Sequence, residues 1–169
     1  MGGAAVAEAD EASTAAAASC SLLTPLEEAV WFGLLHAHTA LTKALDAQLL
    51  AVHRLPLVGF EVLVHAVRAE GGSVGMTALA RRVLLSPSGL SRLVDRLERE
   101  GLVRRHGSAE DGRAVRVAIT PRGRRRLDAA ARTHVAVVRQ RFLSGLSEPE
   151  MRQLAALWAR VGADEPCGP

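Results

Sequence analysis

Residues 86–120 decide the fold, and they read SPSGLSRLVDRLEREGLVRRHGSAEDGRAVRVAIT. The first half predicts a helix, because apolar residues recur at i, i+3, i+4 and i+7: Leu90, Leu93, Val94 and Leu97. Ser86 can cap this helix, Pro87 suits its first position, and Gly101 suits the residue after its end. The opposite face then carries polar and charged side chains, namely Ser88, Arg92, Asp95 and Arg99.

The second half of this stretch changes to a period of two. Turn-forming residues fill positions 107–112, and then Val115, Val117 and Ile119 alternate with smaller or charged residues. This pattern predicts a two-stranded hairpin whose second strand turns Arg116 towards solvent. A short helix before Ser86 is also expected, with an apolar side made of Leu79, Ala80, Val83 and Leu84.

Two helices followed by a basic hairpin predict a winged helix-turn-helix. The expected fold class is therefore mainly α, with a small β-wing. In this arrangement the second helix can enter the DNA major groove, while the hairpin reaches the sugar-phosphate backbone or the neighbouring minor groove.

Several motifs follow one another here at fixed distances. They are Leu79-Ala80, the run from Ser86 to Glu98, Gly101-Leu102-Val103-Arg104-Arg105, Asp111-Gly112-Arg113 and Thr120-Pro121-Arg122-Gly123. In order and spacing they resemble the MarR family of bacterial transcriptional regulators. The flanking segments fit that family over roughly residues 24–162.

The resemblance implies a sequence-specific regulator of double-stranded DNA, most often a repressor, that acts as a homodimer on a pseudo-palindromic operator. The expected organisation is a flexible Ala-rich tail (1–22), dimerisation helices (23–56 and 121–162), a winged helix-turn-helix (57–120) and a second tail (163–169). The first helix and the last two carry apolar stripes longer than the winged core can cover, so they need a second surface. A winged-helix module for protein interaction, without specific DNA binding, is the alternative.

Charge is distributed unevenly along the chain. The formal net charge is +3, yet residues 92–126 hold 11 Arg against 5 Asp and Glu, a local +6. This positive charge coincides with the predicted wing and its flanks, where a phosphate backbone would lie.

Nine residues are candidates for the DNA site: Ser86, Ser88, Ser91, Arg92, Arg104, Arg105, Asp111, Arg113 and Arg116. Arg92 could pair with a guanine edge or a phosphate, and the serine hydroxyls could contact bases or phosphates. Ser86 is expected mainly as the helix cap. In the MarR family the arginine of Asp-x-Arg reaches DNA from the wing and the acid helps to hold the loop, so the resemblance gives these roles to Arg113 and Asp111.

Family members commonly respond to small aromatic or phenolic anions. The candidate effector residues are Trp31 and His38 on the first helix, and Glu61 and His65 one turn apart on the second. The alternative is that Trp31 packs in the dimer core and that the histidines are hydrogen-bonded or exposed.

The sequence contains no clear motif for a function other than DNA binding. Residues for catalysis, a metal ion or a cofactor do not form a recognisable pattern, and Cys20 and Cys167 lie near the two ends. No apolar run has membrane-spanning length, and the N-terminus does not resemble a signal peptide. We therefore expect a cytoplasmic protein that is not an enzyme, has no cofactor and has no membrane partner.

Overall fold

The computed structural model describes residues 22–107 and 115–161. The chain divides into two units, residues 1–40 and 41–169, and each is described by itself. Within the described residues the elements in chain order are α1 (Pro25–His53), α2 (Leu57–Arg68), β1 (Ser73–Gly75), α3 (Met76–Arg82), α4 (Pro87–Arg99), β2 (Val103–Gly107), β3 (Val115–Ile119), α5 (Pro121–Arg141) and α6 (Glu148–Val161). Short 3₁₀ turns cover Glu70–Gly72 and Leu143–Gly145.

Helix α1 begins with a capping box formed by Thr24 and Glu27. The Thr24 hydroxyl accepts a hydrogen bond from the Glu27 N–H at 3.3 Å, and the Thr24 N–H donates to the Glu27 carboxylate at 2.6 Å. These hydrogen bonds to Thr24 lower the pKa of Glu27. Each satisfies a backbone donor at the helix start, which explains why α1 begins at Pro25.

The three strands form one antiparallel sheet in the order β1-β3-β2. Val117 in the central strand lies opposite Val74 on one side and Arg105 on the other. The predicted hairpin is confirmed, and β1 adds a third strand beside it. Val117 and Ile119 are buried, whereas Val115, at the hairpin end of β3, is exposed.

The expectation that Arg116 points to solvent is wrong. Its Nε donates to the Ser73 hydroxyl at 2.9 Å, and its guanidinium also donates to the Ser73 carbonyl at 2.5 Å. Arg116 lies opposite Gly75 in the ladder, which makes Ser73 its diagonal neighbour on β1. Period-two alternation assigns a side chain to a face of the sheet, but it does not reveal a polar partner on the next strand.

The hydrophobic core lies in the second unit and joins helices to the sheet. Its fully buried large side chains are Leu49, Leu55, Leu63, Leu79, Leu90, Leu97, Leu102, Val62, Val94, Val103 and Val117. All four residues of the stripe predicted on α4 belong to this core. Burial of one such side chain contributes about 1.5–3 kcal/mol, so the stripe holds α4 firmly against the domain.

The turn between α3 and α4 corrects one prediction. Leu84, expected on the apolar side of α3, is 91% exposed and has a φ of +51°. The Leu85 N–H donates to the Ala80 carbonyl at 3.2 Å, so Leu84 occupies the left-handed position that ends a helix. The chain must reverse at this point, and the side chain is thereby turned away from the buried Val83.

A close contact fixes the start of α5 against the end of α4. The Thr120 hydroxyl accepts from the Gly123 N–H at 3.0 Å and donates to the Gly101 carbonyl at 2.7 Å. A Cβ added to Gly123 would lie 2.0 Å from the Leu102 carbonyl oxygen. The Thr-x-x-Gly sequence is therefore required by packing, because only glycine allows this approach.

Helices α5 and α6 follow the winged region. α5 ends at Arg141, and α6 spans Glu148–Val161. Before α6, the Ser147 N–H and hydroxyl both donate to the Glu150 carboxylate, at 2.7 and 2.6 Å, and lower the pKa of Glu150. Among the described residues, no helix by itself has the length and apolar content to cross a membrane; α1 and α2 pass that test only as a bent pair, by length and composition alone.

We predict that Gly123→Ala lowers the free energy of unfolding by about 2–4 kcal/mol, because the new methyl group collides with backbone rather than with a flexible side chain. Gly145→Ala is the matched control, since nothing lies within 4 Å of a Cβ at that position. Urea unfolding followed by circular dichroism measures both variants. Equal stability of the two variants would contradict the tight junction.

Candidate nucleic-acid interface

The N-terminus of α4 is built as the sequence predicts. The Ser86 hydroxyl accepts a hydrogen bond from the Gly89 N–H at 3.2 Å and lies 3.3 Å from the Ser88 hydroxyl. Pro87 occupies the first turn. Ser86 therefore acts as the helix cap, and the serine pair lies at the positive end of the helix dipole, where a phosphate would be favoured.

The outer face of α4 is polar and accessible. Ser88, Arg92 and Arg96 are exposed, while Ser91 is half-buried. Within the part of the chain that the structure describes, the Arg92 guanidinium has no ion pair, which leaves its donors available for an external acceptor. The arrangement provides a rigid helix with short hydroxyls at its start and an arginine one turn further on.

Arg105 is engaged within the protein. Its guanidinium donates to the carboxylates of Asp95 at 2.5 Å and Glu98 at 3.0 Å, and to the Ser91 carbonyl at 3.0 Å. The Arg105 N–H also donates to Glu98 at 2.7 Å. The sequence predicts Arg105 as part of the positive field for DNA, and in the structure this residue joins β2 to α4.

The other wing residues differ in their environment. Arg104 is exposed on β2, next to Arg105. Arg116 is held by Ser73, as described above. Asp111 and Arg113 lie outside the described residues, so their predicted roles at the hairpin tip remain predictions.

Known proteins match this chain in both sequence and fold. A sequence model of the MarR family matches residues 60–114, which include α3, α4 and β2. The solved structure of Sco3205, a MarR family transcriptional regulator from Streptomyces coelicolor in complex with DNA, is 32% identical, with a TM-score of 0.76, covering 86% of this chain and 95% of that one. The chain belongs to the MarR family.

Two curated relatives are transcriptional repressors. Rv2887 of Mycobacterium tuberculosis is 33% identical over 99 residues, which cover 57% of this chain and 68% of that protein. MdtR of Bacillus subtilis is 29% identical over 101 residues, which cover 60% of this chain and 64% of MdtR, slightly under two thirds of its length. Members of this family are transcriptional regulators, and this confirms the expectation that the chain is a regulator and not an enzyme.

The four candidate effector residues do not form one described site. Trp31 and His38 lie on α1 in the first unit, where both are exposed. Glu61 and His65 lie on α2 in the second unit, and both are partly buried. The structure therefore describes each pair separately.

Glu61 lines an open groove of about 620 Å³ in the second unit. The groove has a largely apolar lining and also includes Lys43 and Asp46. Burial raises the pKa of Glu61. The pKa of His65 is lowered, first by burial and then by the positive charges of Arg82 and Arg68.

Two contacts around this groove and on the neighbouring helices, a hydrogen bond and a ring stack, were not predicted from the sequence. The Asp46 carboxylate accepts a hydrogen bond from the Leu57 N–H at 2.7 Å and so caps α2 from α1. The His134 ring stacks on Phe60, with centroids 4.9 Å apart, and burial lowers the pKa of His134. Neither has a local signal, because the partners are distant in sequence. Among the described residues, no group of three or more His, Cys, Asp or Glu could hold a metal ion.

We predict that Glu61→Gln is more stable than the parent at pH 7 and that this difference closes as the pH falls below 4.5. A carboxyl whose folded-state pKa is raised stabilises the fold only while it is protonated, and it loses that contribution as the pH rises through its folded pKa. Thermal unfolding across roughly pH 3.5–8, from about one unit below the ordinary pKa of a glutamate to about one unit above neutrality, measures the effect.

Glu150→Gln is the control of opposite sign. The pKa of Glu150 is lowered by Ser147, so its contribution is present above 4.5 and disappears at lower pH. This variant should be the less stable one at pH 7. The same sign for both variants would contradict the assignment for Glu61.

Proposed function

We propose that this MarR family regulator binds a specific sequence in double-stranded DNA as a homodimer and represses transcription from that site in the cytoplasm. The observation that carries the proposal is the geometry of α4. Its apolar stripe is buried, its start is capped by Ser86, and its exposed face presents Ser88 and Arg92. A helix of this kind, followed by a hairpin, fits the major groove with the wing on the adjacent backbone.

The charge around α4 supports DNA as the partner. Arg92, Arg96, Arg99 and Arg104 are exposed, and the segment 92–126 carries a local charge of +6. Contacts to phosphate fix a protein on the duplex, whereas contacts to base edges give specificity. We assign phosphate contacts to Arg104 and Arg113, and base or phosphate contacts to Ser88, Ser91 and Arg92. Asp111 is assigned to hold the hairpin tip.

Exposed apolar side chains support a dimer. In the first unit, α1 exposes Leu26, Val30, Trp31, Phe32, Leu34 and Leu35. In the second, α6 has no buried residue and exposes Leu157, Trp158 and Val161. Large apolar side chains exposed along a helix mark an interface. A two-fold dimer would present two copies of α4 about 34–36 Å apart, as a pseudo-palindromic operator requires.

We also propose that an aromatic effector binds in the groove lined by Glu61. The other candidate effector residues are Trp31, His38 and His65. The charged groups in this groove, two carboxylates and one lysine, favour an uncharged or protonated aromatic compound over the anion expected from the family. The ligand must bind the DNA-free state more tightly than the bound state to release the operator. Benzyl alcohol, benzylamine and benzoate, compared for release of bound DNA, test this preference. Release by benzoate alone would contradict it.

The proposal as a whole is tested by selecting bound sequences from a random DNA pool at near-physiological salt, with the mass of the protein in solution measured by sedimentation. An enriched inverted repeat bound by a dimer is the expected result. Salt-sensitive binding without enrichment would favour the alternative, a winged-helix module for protein interaction. A monomer bound to a single half-site would contradict the dimer.

We predict that Arg113→Ala weakens operator binding about tenfold and reduces the slope of log K against log salt by about 1, because one phosphate contact is lost. The control is Arg139→Ala, which removes the same charge from an exposed position in the last turn of α5. Fluorescence anisotropy at several salt concentrations measures both. Equal affinity of the two variants would count against the wing contact.

A further inference from the structure

Arg105 connects α4 to the wing through four hydrogen bonds. Three come from its guanidinium, to Asp95, Glu98 and the Ser91 carbonyl, and the fourth from its backbone N–H to Glu98. We name these four residues, Ser91, Asp95, Glu98 and Arg105, the α4–β2 clamp. It spans the two elements to which the proposed function gives the DNA contacts.

The clamp is partly shielded from solvent. The Arg105 side chain is 23% exposed, against 51% for Asp95 and 37% for Glu98. One positive charge therefore faces two negative charges, and three of the five N–H donors of the guanidinium are used inside the protein. An arginine in this state attracts a phosphate less strongly, because two carboxylates already compensate its charge and hold its side chain in place.

The clamp also restrains geometry. A planar guanidinium that donates to two carboxylates and a carbonyl on successive turns of one helix fixes the rotation of that helix relative to its own strand. Asp95 is on the exposed face of α4, three residues after Arg92. Without Arg105, two carboxylates would remain uncompensated next to the surface that faces DNA.

We infer that Arg105 is a positioning residue that sets the orientation of α4 against the wing and masks Asp95 and Glu98, and that it does not contact DNA. This inference rests on the proposed DNA-binding function. Arg105 thereby differs in role from Arg104, the neighbouring exposed arginine on the same strand, to which we assign a phosphate contact.

The first test is Arg105→Gln, measured on the DNA sequence that the parent protein enriches and on an unrelated duplex of equal length. A positioning role predicts that the ratio of specific to non-specific affinity falls about tenfold. The slope of log K against log salt should stay the same, whereas loss of a phosphate contact would lower it by about 0.9. Arg104→Gln should show the opposite pattern, a lower slope with a smaller change in the ratio.

The second test changes the carboxylates instead. Asp95→Asn with Glu98→Gln adds two units of net positive charge, so non-specific binding should become tighter. The ratio of specific to non-specific affinity should nevertheless fall, because the restraint on α4 is weakened. Adding both changes to Arg105→Gln should restore part of the ratio, since no uncompensated carboxylate remains.

Arg152→Gln is the matched control, because Arg152 pairs with Glu148 in an exposed ion pair on α6. It should leave the ratio unchanged. If Arg105→Gln reduces both affinities equally with a lower salt slope, Arg105 is a phosphate contact and the inference fails. If Arg105→Gln, the carboxylate variant and the triple variant all keep the parent ratio, it fails as well.

The failure of the proposed function is a different result. In that case the parent protein itself would enrich no sequence. The clamp is then tested in the free protein by amide hydrogen exchange, in which Arg105→Gln should accelerate exchange in α4 and β2 and Arg152→Gln should not. Unchanged exchange in both elements would overturn the inference without DNA.

Discussion

The burial of one face of α4 is the constraint on which the rest of the winged region depends. Four apolar side chains at helical spacing enter the core, and this fixes which side of the helix remains outside. The polar face is exposed as a consequence of that packing. Ser86 at one end and Gly101, with a φ of +69°, at the other determine where the helix begins and ends. Strand β2 follows this anchored element in the chain, and β3 pairs with β2.

Local signals in the sequence predicted most of this architecture. The capping residue Ser86, the apolar stripe of α4 and the alternation in β3 each depend on neighbours within a few positions, so their consequences are local as well. The family resemblance added the order of the elements, and the comparisons support it. Leu84 shows the limit of periodicity, because a helix pattern does not indicate the residue at which the chain reverses.

The contacts that the sequence did not predict join residues far apart along the chain. Arg116 meets Ser73 through the pairing of β1 with β3, and Asp46 caps α2 from the preceding helix. Arg105 likewise finds its partners only when β2 folds back along α4. Charge composition predicted a basic surface, but it could not distinguish an arginine that is neutralised internally from one that is exposed. The candidate effector residues could not be placed from sequence for the same reason, since a groove is a property of the folded chain.

The contact between Gly123 and Leu102 has a mechanical consequence. Backbone meets backbone there, with the Thr120 hydroxyl bonded to the last turn before β2 and to the first turn of α5. Side chains can absorb a small displacement by changing rotamer, whereas two main-chain segments in contact cannot. The junction therefore holds the start of α5 rigidly against the residues that precede β2. Any tilt of the long α5 at its start is therefore passed to the base of β2, so the beginning of the helix and the beginning of the strand shift together.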